Sequence, residues 1–286
     1  MTAVTTTAAD AAPAYADLDA RGRLASWFSD SLVYAARNVE HIRQIPEKLL
    51  DVTLQPLMFV LLFAYVFGGA IHVGGGNYRE YVIAGILVQS LAFGLTGPAT
   101  AIATDLTEGV IDRFRSLPAS RLAYVSGHYF AEIAGMGLSI AVLLGAGLIV
   151  GWRAHTDVLH IATAVALLLA FSSAMIWVGT WIGLKVRSAD AVMGVGFVAV
   201  FPLAFLSNAF VPIATLPEPL QWFAAWNPIS VMVAAVRELF GNPLSPLTKH
   251  TWPLEHPVPA AFIYCAVILA ITVPASFRRY RARTSD

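Results

Sequence analysis

Charge is scarce in this sequence. Of its 286 residues, 13% are Asp, Glu, Lys or Arg, whereas 57% are hydrophobic. Soluble domains carry about a quarter charged residues, because a water-facing surface needs them. The shortfall excludes an ordinary soluble core of this length and fits helices bathed in lipid. Net charge is zero, so no overall basic field exists to attract nucleic acid. Cysteine is nearly absent. Cys265 stands alone, which rules out an internal disulfide or a cysteine metal cluster. His155, His160, His250 and His256 lack partnered metal spacing, and no serine or cysteine nucleophile has an evident base. We therefore expect no catalytic and no metal-binding residues. A phosphate-binding Gly-x-x-x-x-Gly-Lys-Ser/Thr loop is missing too, and no Gly-Lys pair occurs anywhere. The run Gly74-Gly75-Gly76 has neither the lysine nor the following helix that cradling a phosphate requires. It reads as a turn, and the chain as one that binds no nucleotide cofactor and is not itself an enzyme.

What is present is apolar and helical. Residues 1–20 are polar and Ala/Thr-rich, as in a disordered tail. Over 24–49, Leu24, Phe28, Leu32, Ala35, Val39, Ile42 and Leu49 recur mostly every three to four positions, with charges between them. That pattern predicts an amphipathic helix, broken at Pro46, lying in the cytoplasmic membrane interface before the first span, with an ordinary soluble helix packed on a core as the alternative. Crossing a bilayer takes about 20 apolar residues. Uncharged runs of that size predict spans at 54–73, 81–103, 125–151, 158–184, 191–212 and 258–277, the third carrying Glu132. Between 213 and 250, Pro217, Pro219 and Asn227-Pro228 interrupt the apolar pattern, and Trp222 and Trp226 suit an interface. This segment reads as two short helices dipping in from one side, with a seventh span as the alternative. The expected fold is thus an all-α integral membrane protein of six transmembrane helices. It adds an N-terminal interfacial helix, a helix in the loop after span two, and a re-entrant helical hairpin.

Basic residues orient the bundle. With six spans, one side collects Arg21, Arg23, Arg37, Arg43, Lys48, Arg113, Arg115, Arg121, Lys185, Arg187, Arg278, Arg279, Arg281 and Arg283. The other collects Arg79, Arg153, Arg237 and Lys249, fourteen against four. The excess of Lys and Arg on cytoplasmic loops then places both termini in the cytoplasm and the hairpin outside. A seventh span would move the basic C-terminal tail outside and spoil the asymmetry.

The stretch 104–121 carries the clearest functional signal. Asp105 and Glu108 have capping-box spacing, Arg113 and Arg115 come late as the helix dipole prefers, and Pro118 stops the helix. Val110, Ile111, Phe114 and Leu117 form an apolar stripe on a cytoplasmic loop tip. A helix so placed has little of its own protein to bury against, and it suits a groove on a partner. The plainer alternative is a capped linker. His128 and Glu132 are four apart on span three, hence on one helix face. They read either as a proton relay, which would make the chain a proton-coupled secondary transporter, or as a structural pair satisfied by a neighbouring helix. Gln89, Ser90, Thr96, Ser207 and Asn208 are polar residues within or ending spans. They either line a substrate path or bond between helices. Gly147-x-x-x-Gly151 and Gly179-x-x-x-Gly183 predict close helix packing.

The order Glu108-Gly109, Asp112-Arg113, Leu117-Pro118, Arg121 resembles the coupling-helix segment of ABC-2 type exporter permeases, in particular the daunorubicin-resistance subgroup. Asn208-Ala-Phe-Val-Pro212, Leu216-Pro217, Leu220-Gln221, Asn227-Pro228 and Arg237 are similar to that family's end of span five and extracellular hairpin. The resemblance spans about residues 25–280 and implies one transmembrane domain over 21–286. It implies a bacterial plasma-membrane exporter of a hydrophobic drug, antibiotic or lipid. It also implies a dimer with a second permease copy, identical or related, and two nucleotide-binding ATPase subunits that carry the ATP and Mg. The ATPase-coupling residues it implies are Asp105, Glu108, Gly109, Asp112, Arg113, Phe114, Arg115, Leu117 and Pro118.

Overall fold

The computed structural model describes residues 54, 57–67, 77–109, 123–186, 188–245 and 249–284. The interfacial helix predicted at 24–49, the glycine run at 74–76 and the stretch 110–122 lie outside these residues. The described residues are helical and contain no strand. Four stretches are long and apolar enough to cross a membrane: Tyr78–Thr107, Ser126–Val150, Val158–Gly183 and Pro257–Tyr280. Two shorter apolar helices, Leu57–Val66 and Ala189–Phe205, accompany them.

In chain order the helices are α1 (Leu57–Val66), α2 (Tyr78–Phe93), α3 (Thr96–Thr107), α4 (Ala123–Val150), α5 (Val158–Gly183), α6 (Ala189–Phe205), α7 (Glu218–Trp226), α8 (Pro228–Phe240), α9 (Trp252–Glu255) and α10 (Pro257–Thr284). The second half of α1 widens into a π-helix over Leu62–Phe67. Four helices start on side-chain caps of the expected type: Asn77 accepts from the Arg79 amide, Asp157 from the His160 amide, Ser188 from the Ala191 amide and Asn227 from the Ile229 amide. Helix α8 ends on Gly241, whose φ of 65° is the left-handed conformation that glycine adopts without strain.

Span two is not one straight helix. Pro98 has no amide to give the Gly94 carbonyl, and its ring crowds that carbonyl. The helix accordingly breaks between Phe93 and Thr96, giving α2 and α3. Together they form the most enclosed span, with 72% of its most apolar window buried against 22% for α10. Helix α5 is the hub of the bundle and packs against α2, α3, α4, α6, α8 and α10. Its approach to α3 is backbone to backbone. A Cβ on Gly179 would stand 2.2 Å from the Leu95 carbonyl oxygen, and one on Gly183 2.5 Å from that of Ala99. The Gly147/Gly151 expectation is corrected in part. Gly147 faces Ile83 and Trp152, but Gly151 has φ 100° and open space around it, so it terminates α4 in a turn instead of packing.

Two ends of the bundle can be told apart. At one end the loop after α4 is stapled to the end of α8. Trp152 Nε1 donates to Asn242 Oδ1 (2.7 Å), Asn242 Nδ2 to the Arg153 carbonyl (2.9 Å) and Thr156 Oγ1 to the Leu239 carbonyl (2.7 Å). The His155 amide donates to the Phe240 carbonyl at 2.8 Å. His155 Nε2 also lies 3.0 Å from Glu80 at the start of α2. At the opposite end Ile102, Trp177, Leu184 and Tyr280 form a separate buried cluster joining α3, the end of α5 and α10.

Predicted span five, 191–212, needs correction. Helix α6 stops at Phe205 after 17 residues. At 1.5 Å per residue it is about 25 Å long, short of a hydrocarbon core of about 30 Å. The chain from Leu206 to Pro212 is irregular and largely buried. Segment 213–250 contains the short 3-10 turn Ile213–Thr215, α7 and α8.

Candidate functional site

The irregular chain after α6 poses a physical problem. Buried backbone away from water must find partners for its N–H and C=O groups. Side chains supply them one by one. Asn227 caps two helices at once: its Nδ2 donates to the Leu203 and Leu206 carbonyls ending α6 (2.7 and 3.1 Å), and its Oδ1 accepts from the Ile229 amide starting α8 (2.9 Å). Ser207 Oγ donates to the Ala204 carbonyl and accepts from the Ala209 amide. Ser230 Oγ accepts from the Asn208 amide. Three successive carbonyls are then taken by side chains. Tyr81 OH donates to Asn208 O (3.0 Å), Arg237 Nη2 to Ala209 O (3.0 Å) and Tyr78 OH to Phe210 O (3.3 Å).

Arg237 is the centre of this node. It is 0% exposed, and its Nε donates to the Tyr81 carbonyl at 2.9 Å. Its guanidinium lies 3.4 Å from the centroid of the Tyr81 ring, a favourable cation–π placement. Its partners are two carbonyls and a ring, with no carboxylate among the described residues. The sequence reading counted Arg237 among the charges of the outer side, within the hairpin; the structure buries its side chain inside the protein. Gly85 makes the node possible, since a Cβ there would stand 2.0 Å from the Ala209 carbonyl oxygen. Sequence reasoning missed this convergence. The visible signal was an Arg at the end of an apolar run in this helix, Ile229 to Val236 broken only by Ser230.

The five polar residues proposed for a substrate path do not converge on one point. Ser207 and Asn208 are buried in the node, where the Ser207 hydroxyl bonds backbone groups and the Asn208 amide donates to Ser230 Oγ. Gln89 is buried one helical turn beyond Gly85 on α2, with Ser90 half-buried beside it. Thr96 lies past the kink, its Oγ1 donating to the Phe93 carbonyl at 2.9 Å. An aromatic ridge, also missed, runs along α6. Phe197, Phe201 and Phe205 sit one turn apart and are 54%, 38% and 44% exposed. Their rings follow one another at 4.7 and 4.3 Å, and the series continues through Phe210 to Phe63 on α1 at 5.6 and 4.4 Å. Its sequence signal was aromatic spacing of four. Such ring faces can stack on a planar apolar molecule or pack against acyl chains.

His128 Nε2 stands 3.7 Å from Glu132 Oε1 on one face of α4. The carboxylate lies beside Gly97 of α3, 3.5 Å from where a Cβ would be, so the pair sits at the α3–α4 contact. At the far end of α3 the chain corrects the expected capping box. Asp105 lies in the last turn of α3, Glu108 is its C-cap and Gly109 has φ 67°. A helix starting at Asp105 is therefore excluded. Asp112, Arg113, Phe114, Arg115, Leu117 and Pro118 fall outside the described residues.

Comparison with known proteins bears on all of this. The family model of the ABC-2 type transporter matches residues 31–240. The chain belongs to the ABC-2 type transporter family. It is similar to the daunorubicin resistance ABC transporter permease protein DrrB1 of Streptomyces coeruleorubidus, 29% identical over 90% of this chain and 88% of the relative. It also resembles the doxorubicin resistance permease DrrB of Mycobacterium tuberculosis, 25% identical over 76% of this chain and 78% of that one. A third relative is that organism's probable doxorubicin resistance permease DrrC, 26% identical over the same shares. This ABC-2 protein is a multi-pass membrane protein and a transport component, and its family works with an ATP-binding subunit.

Proposed function

We propose that the chain is the membrane-spanning permease subunit of an ATP-driven exporter that moves a hydrophobic compound out of a bacterial cell. The observation that carries the reading is family membership across 31–240, joined to relatives named as drug-resistance permeases. In this reading the chain crosses the plasma membrane six times. Both termini face the cytoplasm, and α7–α8 form a hairpin entering from outside. Two permease copies, identical or related, pair with two ATPase subunits, which hold the ATP and Mg.

The chain's own residues have mechanical work to do. Segment 105–118 would dock in a groove of the ATPase, and α3 leads directly out of it. Helix α3 is seated on the glycines of α5 and is separated from α2 by the Pro98 break. Movement of the docked segment therefore has a stiff rod to act on and a hinge to bend at. Few fixed charges face the membrane, and the α6 ridge offers exposed aromatic rings, both compatible with an apolar, aromatic substrate. The test is co-purification from native membranes together with ATP-dependent uptake of a fluorescent aromatic drug into inverted vesicles. Recovery of an ATPase subunit and ATP-dependent uptake is the expected result. Uptake driven by a proton gradient in the absence of any ATPase subunit would overturn it.

A further inference from the structure

The node around Arg237 is costly by design, and it is incomplete. A fully buried guanidinium without a carboxylate partner is expensive to keep in an apolar bundle. Two polar atoms in the node have no hydrogen-bond partner among the described residues: Arg237 Nη1 and Asn208 Oδ1, both buried. A purely structural joint would gain from satisfying or removing them, since an unpaired buried donor or acceptor costs more than a paired one returns. Opening the node to water would satisfy both. The closed form thus carries a built-in penalty that the open form does not.

The node also sits where two moving parts meet. On one side are α2 and α8, tied together by Arg237 Nε on the Tyr81 carbonyl. On the other is the turn 207–210 ending α6, held by Tyr81 OH, Arg237 Nη2 and Tyr78 OH. The same end of the bundle carries the loop 152–156 stapled to α8. Helix α6 meets α3 near its middle, where a Cβ on Gly196 would stand 2.9 Å from the Thr96 side chain. A displacement of α3 is therefore felt by α6, whose far end is held by the node and by Asn227 Nδ2 on the Leu203 and Leu206 carbonyls.

We propose that Arg237 is a positioning residue acting as a releasable latch, which holds the 207–210 turn on α2 at rest and lets go during the ATP-driven cycle to open the outer end of the export path. The proposal rests on the exporter reading above. Its fork geometry matters as well as its charge. A guanidinium can bond the Tyr81 and Ala209 carbonyls together while lying flat on the Tyr81 ring, which an ammonium cannot.

The test is hydrogen–deuterium exchange of the full complex in nanodiscs, read on peptides covering 206–211 and, as an internal control, on α5. In the wild type the 206–211 amides should exchange slowly at rest and faster during ATP turnover, while α5 stays protected. Arg237→Gln should exchange at 206–211 about tenfold faster at rest, because exchange follows the open population, with α5 unchanged. If Arg237→Gln does not reach the membrane, Tyr81→Phe, which keeps the ring and removes one donor, is read in its place and should give about threefold. Exchange at 206–211 that ignores ATP overturns the latch, as does a variant that loosens α5 equally or changes nothing. ATP-dependent export is measured on the same wild-type sample. Export with ATP-independent exchange defeats the latch alone; absence of both defeats the exporter reading with it.

Discussion

At the scale of single residues, the same residue type does different work at different places. Gly179 and Gly145 illustrate this. A Cβ on Gly179 would meet the Leu95 carbonyl, a backbone atom that cannot swing away, whereas one on Gly145 meets nothing within 4 Å. Gly179→Ala should therefore destabilise the protein by about 1–3 kcal/mol through overpacking. Gly145→Ala should be neutral or stabilise it by up to about 1 kcal/mol through helix propensity. Thermal unfolding of the detergent-solubilised protein separates the two. Asp157 gives a pH prediction. Hydrogen bonds from the His160 side chain, then from the His160 amide, hold its carboxyl below the usual 3.8. A depressed folded pKa means a contribution fully present above the unfolded value and lost as pH falls through the folded one. Wild type and Asp157→Asn should thus differ in unfolding temperature near neutral pH and converge as pH falls through the folded value. Arg237 and Gly85 were not legible as a pair, because nothing in a linear sequence says that positions 152 residues apart share one carbonyl.

At the scale of elements, long apolar runs announced themselves and their interruptions did not. The runs at 125–151, 158–184 and 258–277 coincide closely with α4, α5 and α10. The break in span two was written in Pro98, but whether a proline kinks or ends a helix depends on what packs around it. Span five was overread at its end because Leu206–Pro212 is uncharged without being helical, with distant side chains among its backbone partners. The coupling segment yields the sharpest element-level test. Truncating an aromatic anchor seated in a partner's groove costs on the order of 2 kcal/mol or more, while an exposed rim charge is worth at most about 1 kcal/mol. Phe114→Ala should weaken association with the ATPase subunit more than Arg113→Ala, with membrane insertion unchanged in both. The measurement is the fraction of ATPase subunit retained on co-purification, and equal retention by both variants would remove Phe114 as the anchor. Glu132→Gln addresses the neighbouring α3–α4 contact. It should leave ATP-dependent transport largely intact, and transport that becomes insensitive to an imposed proton gradient only in the variant would revive the proton relay.

At the scale of the whole molecule, sidedness is the main expectation still to be measured. A cysteine at Ser285 should resist labelling from outside intact cells, whereas cysteines at Ala214 and Leu244 should both react. Leu244 is chosen because it is exposed, whereas neighbouring Asn242 is buried against Trp152 and Arg153. Labelling at only one of the two hairpin sites would mean that 213–250 crosses the membrane, restoring a seventh span.

Composition and run length alone determined that this chain lives in a membrane as helices, since the free energy of placing apolar or charged residues in hydrocarbon is a local property summed along the chain. The order of short motifs pointed to its family for the same reason: each motif is contiguous. Only the tertiary structure decided where the second span breaks, which glycines carry a neighbouring backbone and which end one helix. It alone showed that Arg237 is an interior residue bonded to α2 and to the turn after α6. Those are statements about which distant groups share a site, and the partners of a buried polar group are chosen by packing, which no local pattern encodes.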